Sequence, residues 1–138
     1  MEWVAAPAAG IVTRSEEATV VLDLDQDGDE RTGWSLFFFH IASEGRIEAG
    51  IAVNPGDLLG RPSCEGGTST GTHFHLARRY NGEWIPADGA VPFELDGWVA
   101  KQGKALYEGT LIKGSNVVAA CTCSTRANRI LYQLPGEG

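Results

Sequence analysis

Thr32-Gly33-Trp34-Ser35-Leu36-Phe37-Phe38-Phe39-His40-Ile41 is too aromatic and too rich in β-formers to be anything but a central strand. Outward from it, the chain keeps that character. Before it, Ala18-Thr19-Val20-Val21-Leu22-Asp23-Leu24-Asp25 is β-branched and then alternates apolar with acidic, as a half-buried strand does. Earlier still, Ile11-Val12-Thr13 follows breaks at Pro7 and Gly10. After it, Ile51-Ala52-Val53-Asn54-Pro55-Gly56-Asp57-Leu58-Leu59-Gly60 fits two small strands around a tight corner. Asn81-Gly82 is a favoured two-residue hairpin turn between strands at 73–80 and 83–86, and Lys113-Gly114-Ser115-Asn116 marks another hairpin.

With 18 glycines and turn pairs throughout, the chain is expected to be all-β, a mostly antiparallel sheet with hardly any helix. Trp34, Leu36, Phe38 and Leu76 are the core or groove candidates. Its 138 residues fit one globular unit, expected as a β domain over residues 1–100 with a β-rich C-terminal extension, 101–138, packing on it. A net charge of −7, with no basic cluster interleaved with aromatics, argues against nucleic acid as a partner. No apolar run approaches the roughly 20 residues of a membrane span, and Met1-Glu2-Trp3-Val4 has no signal-peptide character. Cys64, Cys121 and Cys123 allow one disulfide with a thiol left over, three thiols, or part of a metal site, and a bridge from Cys64 to one of the other two is favoured.

Asp23-Leu24-Asp25-Gln26-Asp27-Gly28-Asp29 matches the opening of a calcium loop, with carboxylates at alternate positions before a glycine. Its twelfth position is Trp34 instead of glutamate, and a strand precedes it where a helix should, so a plain hairpin turn is expected. Residues 63–72 are dominated by Gly, Ser and Thr but lack the lysine and following helix of a phosphate loop; they suit a flexible loop bordering a site.

The chain has three histidines, and two of them form His73-Phe74-His75. In a strand both rings project to one side, roughly 7 Å apart at their bases, so one can bind a metal while the other handles protons. An isolated His-x-His is usually a solvated pair. Here it follows Ser69-Thr70-Gly71-Thr72 and a Val-x-Pro-Gly-Asp-x-x-Gly corner, and an earlier strand ends in His40.

In that order and spacing, about residues 4–86 resemble the catalytic half of lysostaphin/LytM-type zinc metallopeptidases, with their strand ending in Tyr-x-His and their Ser-Thr-Gly-x-His-x-His segment. The resemblance implies a sheet of the duplicated-hybrid-motif type, zinc as cofactor, His75 as a zinc ligand, and His40 and His73 as the catalytic proton-handling pair. It also implies peptide cross-links of bacterial peptidoglycan as substrate and an extracellular or cell-envelope setting. Zinc lowers the pKa of bound water to about 7 and polarises a peptide carbonyl, while a neighbouring neutral imidazole takes the proton.

The family draws its other two ligands from a His-x-x-x-Asp segment ahead of the strand resembling Trp3-Val4-Ala5-Ala6, and this sequence starts at Met1. One histidine holds zinc weakly, so the chain as written is expected to be inert, a piece of a longer zinc endopeptidase lacking the domain's first strand. The alternative is a non-catalytic peptidoglycan-binding or regulatory module of the same fold. Alternation from Trp34 to His40 puts His40 on the face of Trp34, Leu36 and Phe38, so a catalytic role needs that face to open near its end.

Overall fold

The computed structural model describes residues 3–66, 75–95, 97–105 and 108–120. Twelve strands and no helix lie among them: β1 Val4–Ala5, β2 Gly10–Glu16, β3 Thr19–Asp23, β4 Trp34–Phe39, β5 Ala52–Val53, β6 Leu58–Gly60, β7 His75–Tyr80, β8 Glu83–Trp84, β9 Glu94–Leu95, β10 Trp98–Gln102, β11 Gly109–Lys113 and β12 Asn116–Ala119. All pairings between them are antiparallel, so the all-β, antiparallel expectation holds. No helix is long and apolar enough to cross a membrane.

The chain divides into two compact units, Met1–Ile85 and Pro86–Gly138. A boundary at residue 100 would cut through β10.

In the first unit a six-stranded sheet runs in the order β5-β2-β3-β4-β7-β8, with a two-stranded β1-β6 sheet beside it in sequence. β3 and β4 hold the centre because their residues need cover on both faces: Val20, Val21 and Leu22 are buried in succession, as are Leu36, Phe37 and Phe38. Of the core candidates, Leu36 and Phe38 are buried, and Trp34 and Leu76 are half-buried. Both edge strands, β5 and β8, are two residues long, which limits the unpaired ladder that an edge offers to another chain.

Turn chemistry explains most of the connections. Asn81 and Gly82 both have positive φ (49° and 81°), the pair of conformations that a tight β7–β8 hairpin requires. The Pro55-Gly56 corner separates β5, which pairs with β2, from β6, which pairs with β1, so it passes the chain from one sheet to the other. Asn54 N–H is capped by Asp57 Oδ2 at 2.8 Å across that corner.

Two features depart from the sequence reading. The strand expected to begin at Ala18 begins at Thr19, because Glu17 and Ala18 (φ 49° and 63°) form a two-residue turn after a β2 that runs to Glu16. The expected central strand stops at Phe39, and His40 (φ 64°) lies just beyond it.

The second unit holds a four-stranded sheet, β12-β11-β10-β9. Its β11–β12 hairpin turns at Gly114-Ser115 between Lys113 and Asn116, as the sequence indicates. Asp88 accepts the backbone N–H groups of Gln102 (2.9 Å) and Gly89 (2.7 Å), in that order the causes that hold its carboxyl below the usual carboxylate range.

Candidate functional site

β7 lies against β4 residue by residue, from Trp34 opposite Tyr80 to Phe39 opposite His75. A slip of one residue would turn every β7 side chain over, so burial of Phe37 and Phe38 on opposite faces of β4 pins this register. His75 therefore opens β7 directly across from the residue that precedes His40.

Cross-strand partners share a face, and the Phe39 and His75 rings stand 5.3 Å apart, tilted at 52°. Phe37, two residues earlier on the same face, is buried beneath Trp84, whose ring meets it edge-on at 4.9 Å. The Arg79 guanidinium lies 4.0 Å from the Trp84 ring centroid and 4.8 Å from that of Phe37. His75 and Trp84 are exposed, so this face offers solvent an imidazole and an indole on a buried aromatic footing. Its signal in the sequence was the Phe37-x-Phe39 alternation, together with Trp84 placed opposite Arg79 by the Asn81-Gly82 turn.

His40 is held from behind. Its Nδ1 is 2.9 Å from the Glu65 carbonyl oxygen, which only accepts, so Nδ1 carries the proton and Nε2 is the basic nitrogen of the neutral ring. The His40 carbonyl accepts from Ser63 N–H (2.8 Å) and Ser63 Oγ–H (3.0 Å). Ser63 Oγ in turn accepts from Glu65 N–H (3.0 Å), and the Glu65 carboxylate accepts from Ser43 N–H (2.5 Å) and Ser43 Oγ–H (3.1 Å). Ser43, Ser63 and Glu65 are supports that the sequence reading missed; Ser63 and Glu65 sat within the stretch taken only as a loop beside a site. The left-handed φ of His40 ends strand alternation at Phe39, so alternation does not fix the direction of its ring.

The structure thus places His40 next to the Phe39–His75 pair in the ladder. His73, with residues 67–74, lies outside the described residues, as do Cys121 and Cys123; Cys64 is exposed. Imidazole nitrogens suit zinc, but among the described residues no three histidine, cysteine or carboxylate side chains converge at His75. These residues do not by themselves hold zinc.

Carboxylates converge elsewhere: Asp23, Asp25 and Asp27 each bring an oxygen within 4.8 Å of the others. The acidic run joins antiparallel β3 and β4 as the expected hairpin, but by a long connection. The loop is ten residues long, from 24 to 33, and folds its alternate carboxylates together. Burial first, then the Asp25 and Asp27 carboxylates beside it, pushes the Asp23 carboxyl up to about 7, against a lowering contribution from Gly28 N–H. The Thr32 hydroxyl and then Asp29 N–H hold Asp27 below the ordinary carboxylate value. The cluster is at the far end of β4 from His40, since Asp23 opposes Ser35 and His40 follows Phe39.

No protein-family profile matches the sequence, and no curated protein does. Among solved structures, the chain is similar to one described as a novel M23 metalloprotease, pseudoalterin, from the deep sea. The TM-score is 0.68 at 22% identity, over 86% of this chain and 70% of that one. The likeness shows that the chain shares the β fold of that structure.

Proposed function

We propose that this chain is the sheet platform of a zinc-dependent endopeptidase domain acting on peptide cross-links of bacterial cell wall, in an extracellular or envelope setting. The observation that carries the reading is the β4–β7 register, which sets His40 one residue beyond the Phe39–His75 pair in an M23-type fold. In this reading His75 supplies one nitrogen to zinc, and its partners come from beyond the described residues. His40, its Nδ1–H committed to Glu65, accepts a proton at Nε2, and His73 is the second proton-handling imidazole. Phe39 and Trp84 form the floor on which a peptide lies.

A second reading, a non-catalytic peptidoglycan-binding or regulatory module, is favoured by a different observation: no three-donor group at His75 among the described residues, yet an exposed Trp84 braced by Arg79. One experiment separates them. Cross-linked peptidoglycan is incubated with the protein, with and without added zinc, while new amino termini and bound protein are both measured. Zinc-dependent release of amino groups supports the endopeptidase; binding without release supports the module; neither defeats both.

A further inference from the structure

We propose that the β3–β4 loop is a calcium site, formed by the carboxylates of Asp23, Asp25 and Asp27 and separate from the histidine site. Carboxylates, once ionised, can only accept hydrogen bonds, and here three of them bring oxygens within 4.8 Å of one another. Asp23 is fully buried; its Oδ2 accepts Gly28 N–H at 2.9 Å, while its Oδ1 is enclosed with no hydrogen-bond partner. A buried carboxylate oxygen without a donor is costly, and a cation shared with Asp25 and Asp27 removes that cost. Nearby arginines are engaged elsewhere: Arg31 pairs with Asp29 at 3.0 Å and Arg14 with Glu30 at 2.8 Å.

The rest of the loop fits the same purpose. Gly28 turns the chain with φ 80° directly after the third carboxylate. Gly33 leaves room for Asp25: a Cβ there would lie 2.5 Å from Asp25 Oδ2. An all-oxygen set selects a hard cation over zinc. Calcium suits it better than magnesium, because two of the three ligands are exposed, water must complete the shell, and calcium accepts six to eight ligands in irregular geometry where magnesium demands a near-ideal octahedron. So open a site belongs with the weak extracellular class, Kd ~10⁻⁴–10⁻³ M. Bound there, the ion would fasten the start of the strand whose other end leads to His40.

The test uses the full chain after EDTA treatment, titrated with calcium chloride by calorimetry and by thermal melting. Potassium chloride at matched ionic strength and magnesium chloride run in parallel. The proposal expects about one calcium per chain, a higher Tm than either control gives, and affinity weakened more than about tenfold in D25N/D27N. That variant keeps the exposed side-chain shapes and removes two charges, and its melt in EDTA confirms folding. His75→Ala should respond to calcium as the parent does. No response beyond potassium chloride, an equal response in D25N/D27N, or an equal response to magnesium would overturn the assignment.

Discussion

Phe39 and His75 face each other across the β4–β7 ladder with their rings 5.3 Å apart, so the position of the exposed imidazole is set by a strand rooted in the core. If His75 donates to zinc and His73 handles protons, the two positions should fail differently. His75→Ala should abolish zinc binding, whereas His73→Ala should leave zinc bound and stop hydrolysis. Zinc content by atomic absorption, alongside amino-group release, checks both in a form of the protein that binds zinc; equal zinc affinity in the two variants contradicts the roles.

Ser63→Ala removes the hydroxyl that donates to the His40 carbonyl and accepts from Glu65 N–H. The expected loss of stability is about 1 kcal/mol. In an active form of the protein, if His40 handles protons as proposed and does not grip substrate, kcat should fall with little change in KM. Steady-state kinetics over a pH series would show it.

Phe37 and Trp84 should separate stability from recognition. Phe37 is 1% exposed, and Phe37→Ala should cost about 3–5 kcal/mol in urea unfolding. Trp84, 51% exposed, should matter little to folding; Trp84→Ala should weaken peptidoglycan binding by about 1 kcal/mol, roughly fivefold. Unaltered binding in that variant would remove Trp84 from the peptide floor.

The Asp23 carboxyl, raised from 3.8 to about 7, gives the calcium-free protein an unusual pH profile. Between those values the folded chain holds a proton that the unfolded chain has released, so stability from this group is full below 3.8 and declines as pH rises through about 7. Asp27 is shifted downward, so its opposite effect falls below pH 3.8. Thermal melts in EDTA from pH 5 to 8 should show Tm falling with pH, and Asp23→Asn should flatten the trend.

Where local chemistry decides the structure, the sequence was legible. The Trp34–Phe39 aromatic run could only be a covered strand, and Asn81-Gly82 could only be a tight turn. Glu17-Ala18 was not legible, because it adopts left-handed conformations without the Gly or Asn that usually announces them. The His40 supports were hidden for a different reason: Ser43, Ser63 and Glu65 reach that residue only after the sheet has formed. The pairing of β4 with β7 joins segments far apart in sequence, and nothing in the local pattern of either strand names its partner. The carboxylate cluster was discounted because the calcium-loop template demands a helix before it and glutamate at the twelfth position, whereas a strand end and a glycine-backed loop gather the same three side chains.

At the tip of the β2–β3 hairpin, the Ala18 carbonyl takes the N–H of Ile41 at 3.0 Å, and its methyl stands where a side chain on Gly66 would have to go, 2.7 Å from that Cβ. The tip is a spacer wedged between the residue after His40 and the segment that runs on toward His75. A bulkier group at either small residue would have to force that gap wider one residue away from His40, so a position as chemically plain as Ala18 bears on the imidazole that the proposed function needs.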